Sequence, residues 1–192
     1  MYSSIKFLHR ALNLPFIENE FQVDTILQSI KRKLAKVPFQ VLPITPKILL
    51  DLYKFIDIEK PADLALWCSY LVAFYCLFRK ANVAPKSLAT FDPHKELSRQ
   101  KFIVLEDSAL VFNNFSKNNQ FMTRHSVLPL CKHDCKPLDP IFHLNNLFST
   151  DIPSTHPAFS YIENGKIDRI TYSKFTSKLK SLFSLAGYSS QL

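Results

Sequence analysis

Glycine is nearly absent from this chain: Gly165 and Gly187 are the only two in 192 residues. A backbone that wraps a pyrophosphate needs Gly-rich turns, and neither GxGxxG nor a P-loop occurs, which argues against nucleotide-dependent chemistry. The amino terminus, MYSSIKFLHR, lacks the apolar core of a signal peptide, so the four cysteines read as reduced thiols of an intracellular protein. Cys131, His133 and Cys135 form a C-x-H-x-C cluster, but a fourth ligand at normal spacing is missing, and no metal is expected. No paired-carboxylate or Ser-His-Asp arrangement can be argued, and internal repeats and low-complexity tracts are missing too.

What is present in quantity is apolar and basic. From Leu64 to Phe78 every residue except Ser69 is apolar or aromatic, closed off by Asp63 on one side and by Arg79 and Lys80 on the other. Such a run must be buried on all sides. At 15 residues it falls short of the roughly 20 that cross a bilayer, so it is expected to be a central core helix and no membrane partner is expected. That helix would bring Arg79 to the rim of the core, held rigidly toward a ligand. Hydrophobic residues make up 47% of the chain, enough for a packed domain, and the net charge of +8 favours an anionic partner such as nucleic acid.

Apolar periodicity predicts helices over 2–12 and 24–36. The second has Ile26, Leu27, Ile30 and Leu34 as its stripe, with Lys31, Arg32, Lys33 and Lys36 on the other face. That basic face reads either as a solvated surface or as a phosphate-contacting one. VPFQVLPI, residues 37–44, carries two prolines and reads as a linker. Thr45-Pro46 then opens a new helix, with Thr as N-cap and Pro at the first helical position. After Pro85 the pattern turns extended. Runs at 102–105 and 109–115 predict a hairpin, SKNNQ at 116–120 a polar turn carrying Lys117, and 125–130 a third strand. Helix returns over 138–148, an extended run at 158–162 leads to a turn at Asn164-Gly165, and a last helix runs from a Thr171 cap to Gly187. The expected fold is mainly α with a small antiparallel β-sheet.

The order of these motifs resembles the tyrosine recombinase (phage integrase) family, most closely the recombinases of eukaryotic mobile elements of the DIRS, Ngaro and Crypton type. The stretches that carry the resemblance are LPITPKILLDLYKFI, LALWCSYLVAFYCLFRKANVAPKS, FDPHKELSR, the strand and turn leading to SKNNQ, CKPLDPI, and PAFSYIENGKIDRITYSKFTSKLKSLFSLAGYSS. It implies two domains: residues 1–40 as a remnant of a helical DNA-clamping domain with its linker, and 41–192 as an incomplete catalytic domain. It also implies a double-stranded DNA partner, work in the nucleus, self-assembly on DNA, and chemistry that needs neither metal nor nucleotide. These enzymes attack a phosphodiester with a tyrosine oxygen, and side chains must hold the developing charge. Arginine suits that task because its planar fork of donors matches phosphate oxygens.

Residue by residue, the resemblance places Arg79 as the first phosphate-holding arginine and Lys117 as the general acid on the sheet's turn. Lys80, Lys31, Arg32 and Lys33 join them as DNA-binding cations. The plain alternatives are a helix-end cation for Arg79 and a solvated turn residue for Lys117. Many family members carry an acid three positions after that arginine, where this chain has Asn82. The family's second box, His-x-x-Arg, and its nucleophilic tyrosine are not matched. None of the six histidines, His9, His94, His125, His133, His143 and His156, has an arginine three residues on, and Tyr188 comes just after a helix end. Two expectations of different class result: a truncated tyrosine recombinase that binds DNA without cleaving it, or a non-catalytic interaction module or inert fragment of the same ancestry.

Overall fold

The computed structural model describes residues 7–9, 11–14, 20–34, 43–87, 89, 91–113 and 126–188. It divides into two compact units, Met1–Val41 and Leu42–Leu192. In the first unit, helix α1 spans Glu20–Leu34 and ends on the basic turn Lys31, Arg32 and Lys33. Its stripe forms at the expected spacing, yet Ile26, Ile30 and Leu34 are exposed. Within that unit, then, α1 is amphipathic with its apolar face open among the described residues.

The second unit mixes helices with small antiparallel sheets. Helix α2, Pro46–Tyr53, starts as its sequence dictates: the Thr45 hydroxyl accepts from the Ile48 N–H at 3.4 Å, and Pro46 loses no bond at a position with no intrahelical partner. Helix α3, Pro61–Tyr75, is the centre. All eight residues from Ala65 to Val72 are buried, so the helix has no polar face to turn to water. Its polar tips are satisfied across the core. Trp67 Nε1 donates to the Pro137 carbonyl at 2.8 Å, Tyr70 Oη to Phe175 at 3.0 Å and Tyr75 Oη to Leu138 at 3.0 Å. Tilted and edge-on rings extend the packing, with Tyr53 5.1 Å from Trp67 and Tyr70 4.8 Å from Phe175.

Strands β1 (Phe102–Val104), β2 (Ser108–Asn113) and β3 (Ser126–Cys131) form an antiparallel sheet in that order, paired Phe102 to Val111 and Val111 to Leu128. Phe102, Ala109, Val111 and Leu130 face the core, while Ile103 and Val127 stay exposed. Lys117 and the turn that carries it lie outside the described residues. Helix α5, Pro140–Phe148, is capped by Asp139, whose Oδ1 accepts from Ile141 N–H at 2.9 Å and Phe142 N–H at 3.3 Å. The expected helix over 138–148 is thus shorter, because Lys136–Leu138 is a tight three-residue turn and Asp139 caps the helix after it. Strands β4 (Ser160–Glu163) and β5 (Lys166–Arg169) make a two-residue hairpin. Asn164 and Gly165 both have positive φ, 51° and 73°, the backbone that matches strand twist in such hairpins. Helix α6, Tyr172–Leu185, is capped by Thr171 and ends at Gly187, as the sequence predicts.

One boundary differs from expectation and matters for the site. The buried helix does not run on to Arg79. It stops at Tyr75, with Cys76 as its cap and Leu77 in the left-handed region at φ 52°. Phe78 N–H bonds back to Ala73 at 2.9 Å and Leu77 N–H to Phe74 at 3.3 Å, the paired closure that usually takes glycine. A second closure of the same kind ends α6, where Gly187 has φ 76° and Tyr188 N–H reaches Phe183 at 2.9 Å. Leucine at position 77 stores backbone strain that Gly187 avoids. Leu77→Gly should raise stability by about 1 kcal/mol, read as a higher urea midpoint at unchanged slope. A lower midpoint would contradict the strain assignment.

Candidate functional site

Beyond Leu77 the chain presents two cations in succession. Arg79 is the N-cap of a short helix, α4 (Lys80–Val83), with extended backbone at φ −71° and ψ 149°. It is exposed, and no hydrogen bond or ion pair engages its guanidinium among the described residues. Asn82 N–H bonds the Arg79 carbonyl at 2.8 Å, which closes the turn. Asn82 therefore supports the backbone of Arg79 and not its side chain. Lys80 is exposed as well, its Nζ 4.6 Å from the centre of the Tyr172 ring on α6. A cation over an aromatic face is restrained without losing its charge.

Leu77, Phe78 and Lys80 also form one wall of a groove of about 400 Å³, whose other walls include Tyr70 and Phe74 of α3 and Phe175 of α6. The lining is apolar apart from Lys80 and the Tyr70 hydroxyl, and that hydroxyl is already bonded to Phe175. Sequence patterning points to the cations but not to the groove, because the groove depends on the end of the buried helix before Leu77.

The other expected site residues are found elsewhere in the chain. Lys31, Arg32 and Lys33 are exposed on α1, in the other unit. Lys117 lies outside the described residues. Cys131 is exposed at the end of β3, and the His133 Nδ1 accepts from the Cys135 N–H at 2.9 Å, so that nitrogen is already engaged. Among the described residues no group of three or more His, Cys, Asp or Glu could hold a metal ion. Nor is any described helix long and apolar enough to cross a membrane. Burial pushes the thiols of Cys68 and Cys76 up, the latter to about 12, which leaves them neutral and unreactive.

Two cations that sequence reading passes over are buried. Arg99 caps the C-terminal end of α5. Its Nη1 donates to the Thr150 carbonyl and its Nη2 to the Leu147 carbonyl and the Thr150 hydroxyl, each at 2.9 Å, with the Phe148 ring 5.0 Å away. Lys101 Nζ donates to the carbonyls of His94 and Glu96 at 2.9 and 2.8 Å. Burial lowers the pKa of both. All of this binding is to carbonyl and hydroxyl oxygens, so these two residues fix loops and are not open to a ligand. On the surface, Lys174 Nζ donates to Asp168 Oδ2 at 2.6 Å and Tyr161 Oη to the same oxygen at 3.0 Å, tying β4 and β5 to α6. The Lys174 ammonium holds the Asp168 carboxyl below its usual range.

Comparison with protein-family models, with curated proteins and with solved structures finds no match for this chain.

His143, on α5, is fully buried, and neither ring nitrogen has a hydrogen-bond partner among the described residues. Burial pushes its pKa below the usual 6.5; the backbone of Lys136 and Pro137 opposes this without reaching hydrogen-bond geometry. The folded site thus refuses a proton that the unfolded chain accepts. Stability should hold above pH 6.5 and fall below it, by about 1.4 kcal/mol per pH unit until the folded imidazole titrates. His143→Phe should flatten that part of the urea-unfolding profile between neutral and mildly acidic pH. An unchanged acid slope in the variant would assign the loss to other groups.

Proposed function

We propose that the chain is a duplex-DNA-binding module of tyrosine-recombinase ancestry, which grips the phosphate backbone with Arg79 and Lys80. The observation that carries this reading is the pair itself: two consecutive exposed cations, neither matched by a carboxylate among the described residues, set just beyond a rigid buried helix. Surface cations without counter-ions are what a polyanion can neutralise, and the net charge of +8 adds long-range attraction. Guanidinium geometry suits Arg79 to phosphate oxygens, and the ring of Tyr172 steadies Lys80 beside it. Lys31, Arg32 and Lys33 offer a second basic turn on the other unit. Nuclear residence and self-association on DNA belong to the same reading.

Binding and not strand cleavage is the assigned chemistry. Tyr188, the last tyrosine of the family-like segment, is engaged in packing: its ring lies 6.1 Å from Phe183 and its hydroxyl donates to Asp51 at 2.8 Å. Fluorescence anisotropy with a labelled duplex tests the reading. Affinity should fall steeply between roughly 50 and 200 mM salt, and Arg79→Ala and Lys80→Ala should each lower the log–log salt slope by about 0.9. Undetectable binding at the low-salt end, or slopes identical to that of the parent chain, would overturn it.

A further inference from the structure

We propose that the groove beside Lys80 is a binding site for a small anionic amphiphile, an alkyl chain of about a dozen carbons ending in a carboxylate. Three independent features meet there. The cavity, about 400 Å³, lies at the lower end of the ~300–1,000 Å³ typical of small-molecule pockets. Its floor and walls, among them Tyr70, Ala73, Phe74 and Phe175, offer an alkyl chain an apolar surface with no unpaired donor or acceptor except at one end.

That end is Lys80, the single charged residue of the lining, with no ion pair to any described carboxylate. A ligand that fills the apolar part and ends in an anion matches both halves, whereas a cationic or neutral amphiphile matches one. The third feature is Leu77. It is 89% exposed at the groove wall and held at φ 52°, where glycine would relieve strain. A large apolar side chain kept in an unfavourable backbone state and pointing into solvent gains nothing in the free protein; covering a bound alkyl chain gives it apolar area to bury. A docked helix fits less well, since one turn of a helix about 10 Å across would already fill the volume.

The carboxylate would sit against the Lys80 ammonium, displaced little from its place over Tyr172, and the chain would run along α3 toward Ala73. No bond is made or broken.

Isothermal titration of the whole chain with dodecanoate below its micelle concentration tests the site. One molecule should bind per chain, and shortening to decanoate should weaken affinity roughly tenfold, since each buried methylene contributes up to about fourfold. Dodecyltrimethylammonium should bind at least tenfold more weakly than dodecanoate. Lys80→Gln, an exposed position whose replacement cannot empty the core, should abolish that preference while leaving the chain-length dependence. Ala73→Trp, which fills the groove, should remove binding, with circular dichroism confirming that the helices persist. Three results would overturn the proposal: no saturable heat, equal binding of the anionic and cationic chains to the parent protein, or a groove occupied by a second copy, seen as Ala73→Trp dissolving a dimer that dodecanoate does not perturb. Binding to anionic vesicles without binding of monomeric dodecanoate would also overturn it, by moving the source of charge to a surface.

Discussion

Burial of α3 on every side is the constraint that governs the rest of the larger unit. A helix with eight consecutive buried residues cannot slide or rotate without exposing apolar surface, and each large side chain withdrawn from water contributes about 1.5–3 kcal/mol. The hydrogen bonds from Trp67, Tyr70 and Tyr75 to carbonyls on two other stretches, Pro137-Leu138 and Phe175, then fix its rotation, because an unpaired buried indole or phenol would cost more than the bond gains. A rigid helix has a rigid end. The turn at Leu77 converts that end into a change of direction, which brings Phe78 and Lys80 to the groove and leaves Arg79 in water. Position of the surface cations is therefore inherited from the interior.

Cations are used in two opposite ways in this unit. Arg99 and Lys101 are buried among carbonyl oxygens, and Arg99 sits at the C-terminal end of α5, where the helix dipole favours positive charge. Truncating Lys101 would leave the His94 and Glu96 carbonyls without its ammonium and loosen the stretch 94–101 that leads into β1. Arg79 and Lys80 have no such partners and remain open to an external anion. Charge count alone cannot separate these classes. Burial and hydrogen bonding do, and they assign two of these four cations to folding.

Much of the architecture is legible in the chain. Thr45-Pro46, Thr171 and Gly187 mark helix ends by cap chemistry that needs no tertiary help, and the apolar run around Trp67 announces its own burial. The three-stranded sheet is foreshadowed by β-branched and aromatic runs, and Asn164-Gly165 by the demands of a two-residue turn. The misses have equally local causes. Leucine is a poor signal for a left-handed helix end, so the stop after Tyr75 looks from the sequence like three further helical residues. Lys166–Arg169, KIDR, is too polar and short to declare a strand; it forms because β4 is there to pair with it. Arg99 reads as a surface residue until Leu147 and Thr150, about fifty positions on, supply its acceptors. Of the candidate site, the cations were visible and the groove was not, since its walls come from three separated stretches.

The proposed contact between a DNA backbone and the segment after the buried helix is tested residue by residue by amide NMR during titration with a short unlabelled duplex at low salt. Signals of Arg79, Lys80 and their α4 neighbours should shift progressively, the shifts should shrink as salt is added, and the amides of Ala65–Val72 should stay still. Shifts that leave residues 79–83 untouched while moving other parts of the unit would contradict DNA binding by these two cations.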